Sequence, residues 1–141
     1  MSGPSLRKKD AHSSIHEAAL NEAIELRTLF QKCLEDGDKE KALQVIEVTI
    51  EHWESRTLKH AEAEEEGLYK DIVEANPDML TTVIQLTRDH DLMRRIVDNL
   101  KNLLQSDEPN QRMITLLDSL VIIDQIHNDD EMNKLLVEGE K

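Results

Sequence analysis

The sequence predicts an all-α fold, an up-down-up-down antiparallel four-helix bundle, and three observations carry that reading. Apart from Gly67, the breakers inside the 141-residue chain gather into three turns, at Asp36-Gly37-Asp38, at Asn76-Pro77 and at Ser106-Asp107-Glu108-Pro109. Each of the four segments between them repeats apolar residues every three or four positions, with no proline inside. Period-two alternation rich in β-branched and aromatic residues is absent, and the only aromatics are Phe30, Trp53 and Tyr69. Short connections force successive helices to run antiparallel, so a bundle is the simplest burial of four apolar stripes.

Residues 1–10, with Arg7-Lys8-Lys9, read as a flexible basic lead, and residues 11–141 as one bundle domain. Segment one, residues 11–35, carries Ala19, Ala23, Leu26, Phe30 and Cys33. Segment two, residues 39–75, carries Ala42, Val45, Ile46, Thr49, Trp53 and Leu68, with Gly67 marking a bulge, a bend or an early end. Segment three, residues 78–105, carries Val83, Leu86, Met93, Val97, Leu100 and Leu104; segment four, residues 110–137, carries Met113, Leu116, Leu120, Ile123 and Leu135. Asp38, Asp78 and either Asp107 or Asn110 are placed to cap the helices that follow them.

Composition removes several function classes. A net charge of −13 repels phosphate backbones and anionic headgroups, which argues against nucleic acid and membrane surfaces as partners. The longest apolar run, Leu120-Val121-Ile122-Ile123, is far shorter than the ~20 residues of a membrane span, and Met1-Ser2-Gly3-Pro4 opens no apolar signal segment; a cytoplasmic location is expected. The single cysteine, Cys33, lies on an apolar stripe and reads as a reduced structural thiol.

Polar residues interrupt the stripes where apolar ones belong: His16 in segment one, His60 and Glu64 in two, His90 in three, and His127 and Glu131 in four. Burying any of these without a partner costs on the order of 1–3 kcal/mol, so six of them call for a common explanation. Residues equally far from a turn meet across a helical hairpin. His16 lies 21 residues before Gly37 and His60 lies 23 after it; Glu64 and His90 each lie 13 from Pro77; His90 and His127 lie 17 and 20 from Asp107. All four helices thus bring a histidine into one layer. Two of them repeat His-x-x-x-Glu, His60 to Glu64 and His127 to Glu131, which stacks a nitrogen and a carboxylate on one face. Carboxylates able to bridge, with imidazoles in a bundle core, suit a pair of iron or manganese ions better than one zinc. His12, one turn before His16 on the same face, stands either in place of His16 or beside it as a hydrogen-bonding neighbour. His52 falls roughly 80° around the helix from His60 and reads as flank or surface. Trp53, Leu68 and Met93 are placed to wall the pocket, although core packing explains Trp53 and Leu68 equally well; Tyr69 is placed at the surface, and Glu65, Glu66, Asp129 and Asp130 read as a solvated face.

These motifs, in this order, with the contexts HAEAEEEGLY at 60–69 and RDHDLMRRI at 88–96, resemble the hemerythrin-like, or HHE cation-binding, domain over residues 11–137. The resemblance implies two non-haem iron ions, Fe2+ or Fe3+, with an oxo or hydroxo bridge, held by His16, His60, Glu64, His90, His127 and Glu131, with Glu64 and Glu131 spanning both. The oxygen-carrying members place a further histidine four residues after the third-helix ligand, where this chain has Arg94, and end in His-x-x-x-x-Asp, where it has Glu131. On that four-histidine count the ligand set looks more like the di-iron branch that repairs iron-sulfur clusters, although this chain lacks a second cysteine. The resemblance therefore implies a small diatomic or peroxide ligand (oxygen, peroxide or nitric oxide) in sensing, detoxification or stress response. Iron storage, delivery to a protein partner or repair of iron centres is the alternative, and a metal-free helical interaction module is the reading furthest from the motifs.

Overall fold

The computed structural model describes residues 9–136, and these form the expected bundle. Helix α1 spans Lys9–Glu35. Helix α2 covers residues 39–75 without a break, and a 3-10 turn at Pro77–Met79 leads into α3, Leu80–Ser106. Helix α4, Gln111–Asp130, continues through a π-helical end at Glu131–Leu135. Residues 1–8 of the basic lead lie outside the described residues, and Lys9 and Asp10 already belong to α1.

The turns form for local reasons. Gly37 takes φ 71°, the left-handed conformation that closes a helix, while Asp38 N–H donates to Cys33 O and Gly37 N–H to Leu34 O. Asp38 then caps α2 by accepting from Lys41 N–H at 3.1 Å. At the second turn Asn76, not Asp78, is the cap, accepting from Asp78 N–H at 3.2 Å, because Pro77 occupies the first helical position and leaves its predecessor in extended conformation. At the third, Asn110 caps α4 by accepting from Arg112 N–H at 2.9 Å, and Asp107 closes α3 instead.

The four helices form a ring in which α1 packs on α2 and α4, and α3 packs on α4 and α2. A bidentate Arg27–Asp118 pair ties α1 to α4, with contacts of 2.7 and 3.1 Å. Between the first and third turns lies the main apolar core, which includes Phe30, Ile46, Trp53, Met93, Leu100 and Leu117. Towards the second turn a smaller cluster forms from Leu68, Tyr69, Leu86, Leu135 and Leu136. The polar layer lies between the two. Its helix α2 departs from ideal geometry: core-facing Thr49, Trp53, Thr57, Ala61, Glu64, Leu68 and Ile72 advance by four, four, four, three, four and four residues, a longer mean step than the 3.6 of an α-helix. Two π-helical stretches, Trp53–Leu58 and Glu64–Leu68, absorb the surplus and keep these side chains inward. Gly67 therefore marks a widened turn inside a continuous helix. In α4 the predicted Ile123 is partly buried against the main core, and Asp124 beside it is the more deeply buried, at 1% exposure, because the innermost face runs Leu120, Asp124, His127, Glu131. No described helix is long and apolar enough to cross a membrane.

Candidate metal centre

Within the polar layer, α1 presents His12 and His16 one turn apart, α2 presents His60 and Glu64, α3 presents His90, and α4 presents His127 and Glu131. All six residues singled out from the sequence converge there, and His12 joins them, fully buried. The alternatives for the first helix collapse into one arrangement: His12 Nε2 and His16 Nε2 lie 2.8 Å apart and both face the carboxylates. Five imidazoles, not four, share the layer. The additional one comes from α1, while Arg94 on α3 binds Glu65 Oε1 at 3.0 Å. The layer thus holds one imidazole more than the four-histidine count that pointed to the repair branch, while Arg94 and Glu131 still stand where the oxygen carriers place other residues.

The donors divide into two sets that share their carboxylates. His12, His16, His60 and Glu64 offer ligand atoms within 4.8 Å of one another, and so do Glu64, His90 and His127. Glu64 Oε2 lies 2.9 Å from His12 Nε2 and 3.4 Å from His60 Nε2, whereas its Oε1 lies 3.2 Å from His90 Nε2. Glu131 repeats the pattern from the opposite helix. Its Oε1 contacts His12 Nε2 and lies 2.9 Å from His16 Nε2, and its Oε2 lies 3.4 Å from His127 Nε2. Each carboxylate therefore gives one oxygen to each set.

The outward nitrogens of the second set are held as well. His90 Nδ1 donates to Glu65 Oε2 at 2.7 Å and His127 Nδ1 to Asp89 Oδ2 at 3.0 Å, which fixes both rings with Nε2 inward. Glu65 is thus an orienting partner and not part of a solvated face. Tyr69, placed at the surface by the sequence reading, is 2% exposed. Its hydroxyl donates to Glu131 Oε2 and lies 3.4 Å from Glu64 Oε1, and its ring stacks on His90 at an interplanar angle of 4°. The i to i+5 repeat of the π stretch brings Tyr69 back beneath Glu64; a 3.6-residue period hides this. His52 is half-buried outside the cluster, where Nε2 donates to Ala19 O at 2.9 Å.

Without a metal, protons supply the positive charge that two buried carboxylates require. Burial alone would lower the pKa of His12, but hydrogen bonds and charge from Glu131 and Glu64 outweigh it and push the group up to about 10. The same balance raises His16 to about 9, and at His127 hydrogen bonds to Asp89 and Glu131 overcome burial to give about 10. Burial would raise Glu64, and burial with the Glu64 charge would raise Glu131; the surrounding imidazoles win and hold both well below the usual carboxylate range. Burial and both carboxylate charges push the Tyr69 phenol upward. His60 Nε2 and Glu64 Oε2, both buried, face each other at 3.4 Å as an ion pair and complete no well-aligned hydrogen bond. Buried nitrogens and carboxylate oxygens that converge on one another without well-aligned hydrogen bonds are what a cation would satisfy, so the donor set fits a metal.

Two clefts reach the layer from opposite chemistry. One, of about 410 Å³, is lined by His16, Glu17, Gln125, Asn128 and Asp129, among others. The other, of about 540 Å³, has Tyr69 and Glu65 in its wall and Val73, Leu80 and Val83 beside them.

Four antiparallel helices that gather five imidazoles and two carboxylates into a buried layer define a cation-binding helical bundle. The chain matches the Hemerythrin HHE cation binding domain over residues 14–137 and belongs to that family. His12 stands two residues before the matched stretch. No curated protein and no solved structure matches the chain.

Proposed function

We propose that the protein holds two iron ions, one in each donor set, and that the pair reacts with oxygen, peroxide or nitric oxide in sensing, detoxification or stress response. The observation that carries this reading is the sharing of Glu64 and Glu131, each with one oxygen toward His12 and its neighbours and the other toward His90 or His127. One ion would use only half of each carboxylate. Imidazole and carboxylate donors suit both Fe2+ and Fe3+, and bound iron supplies a one-electron couple and exchangeable positions for a small ligand.

The chain's own residues set the conditions. His16, His60, His90 and His127 with Glu64 and Glu131 form the ligand set, and His12 completes the first half. Glu65 and Asp89 hold their imidazoles in one tautomer, with the proton on Nδ1 and Nε2 free to coordinate. Trp53, Leu68 and Met93, all buried, exclude bulk water from the layer. A neutral molecule of a few atoms suits the apolar cleft outside Tyr69.

Elemental analysis tests the first half of the reading, with two irons per chain expected and a single zinc overturning it. Stopped-flow mixing of the reduced protein with air-saturated buffer, peroxide or nitric oxide tests the second. Spectral silence toward all three overturns it. The polar cleft at His16, with Glu17 and Asp129 in its wall, favours one competing reading: iron storage, or delivery to and repair of iron centres in a partner protein. Rapid loss of iron to a chelator would select that reading, and slow loss the redox one.

A further inference from the structure

We infer that Tyr69 is itself a metal ligand, a phenolate oxygen on the ion held by His90 and His127. The inference rests on the two-iron reading and adds a donor that the histidine and carboxylate motifs do not contain.

The donor counts motivate it. The first half of the layer offers three imidazoles and one oxygen from each of two carboxylates, which makes five atoms. The second offers two imidazoles and the two remaining oxygens, which makes four. The Tyr69 hydroxyl lies against those same two oxygens, Glu131 Oε2 and Glu64 Oε1, and against neither of the other two. It thus stands where a fifth donor to the second ion belongs, and with it the two donor sets would each offer five protein atoms.

The surroundings hold the phenol there. Tyr69 is 2% exposed, its ring stacks on His90, and Leu68, Leu86, Leu135 and Leu136 pack in the same cluster. A tyrosine needed only for packing would not bring its hydroxyl to both carboxylates of the layer. On coordination the phenol O–H bond breaks, an oxygen–metal bond forms in its place and the proton leaves to solvent, as expected when a metal displaces protons from its ligands. An anionic oxygen donor stabilises Fe3+ more than Fe2+, which biases the second ion away from reversible oxygen carriage and toward oxidation.

Tyr69 is the sole tyrosine of the chain, so the test needs no substitution to be specific. The metal-free protein is loaded with Fe2+ without air, oxidised with ferricyanide and desalted. The expected result is a visible phenolate-to-Fe3+ charge-transfer band, with resonance-enhanced ring vibrations that shift when ring-deuterated tyrosine is incorporated. Tyr69→Phe is expected to keep two irons, lose the visible band entirely and become easier to reduce. A wild-type protein that holds two irons but shows no tyrosine-derived vibrations overturns the inference while leaving the two-iron reading intact. A protein that takes up no iron overturns both, and a Tyr69→Phe variant with an unchanged visible band overturns the inference alone.

Discussion

The two halves of the polar layer differ in donors, support and access. His12, His16 and His60 form an imidazole-rich half, and His16 borders a polar cleft. His90 and His127 form a leaner half, each ring anchored by a carboxylate at its outer nitrogen, with Tyr69 between it and an apolar cleft. The difference teaches a division of labour: the donor-rich half suits tight holding and exchange with water, and the anchored, leaner half suits chemistry with a neutral molecule. Among the described residues, Glu64 and Glu131 are the groups common to both, so they are where the comparison breaks first.

Glu131→Ala is expected to lose both metals, since each ion forfeits an oxygen and His12 and His16 lose their shared acceptor. Stability should follow. A ligand at 1,000 times its dissociation constant stabilises the native state by ~4 kcal/mol, and at ~2–4 °C per kcal/mol for a chain of this size chelation should lower the melting temperature by about 10 °C. Glu131→Ala should begin near that lowered value and respond no further to chelator. Scanning calorimetry with and without chelator checks this.

Histidine substitutions sharpen the contrast. His12→Ala and His60→Ala are expected to remove one metal and leave the other, and His90→Ala to remove the opposite one. Metal analysis gives the stoichiometry. The tyrosine-derived vibrations tell which ion remains, persisting in the first two variants and vanishing in the third. Equal loss of both metals in all three would mean that the halves act as one site.

Much of this arrangement is legible in the sequence. Apolar spacing and three turns give the bundle, and distance from each turn brings His16, His60, Glu64, His90, His127 and Glu131 into one layer. The same measure puts His12 level with Glu64 and leaves it either in place of His16 or beside it; that both imidazoles face the carboxylates follows only from their positions in the packed layer. Tyr69 is hidden for another reason. Periodicity reasoning assumes 3.6 residues per turn, and Tyr69 reaches the layer only through the widened turn at Glu64–Leu68. Asp124 is an acidic residue at a core position, and burial raises its pKa beside the layer. Glu65 illustrates a third limit, because its value lies in one hydrogen bond across to α3, a contact between helices that a pattern along one helix does not contain.

Protons and metals compete for the same atoms, so pH should separate the metal-free protein from the loaded one. His12, His16 and His127 have folded-state pKa values raised to about 10, 9 and 10 from a reference of 6.5. The stability they contribute is fully present below pH 6.5 and is lost as pH rises through 9 to 10. Glu64 and Glu131 have lowered values, so their contribution is present above the reference of 4.5 and is lost as pH falls. The metal-free melting temperature should therefore decline between pH 7 and 10. In the loaded protein those nitrogens carry metal, not protons, so the alkaline decline should be absent and acid should release metal instead. Matching alkaline declines in the two forms would show that the imidazoles are not the ligands.

The smallest effect is expected at the histidine outside the layer. His52 is half-buried on α2, and its one hydrogen bond, from Nε2 to Ala19 O at 2.9 Å, ties that helix to α1 just beyond His16. A bond of this kind contributes roughly 0.5–1.5 kcal/mol net. His52→Ala should thus lower the melting temperature by a few degrees at most, and equally in the metal-free and loaded forms, because the lost bond lies outside the donor set. Metal content should stay at two per chain, and the visible band should not move. Calorimetry of both forms and elemental analysis together decide the point. Loss of a metal in His52→Ala would mean that the register of α1 against α2 controls the first half of the layer, so that His12 and His16 depend on a contact one turn away.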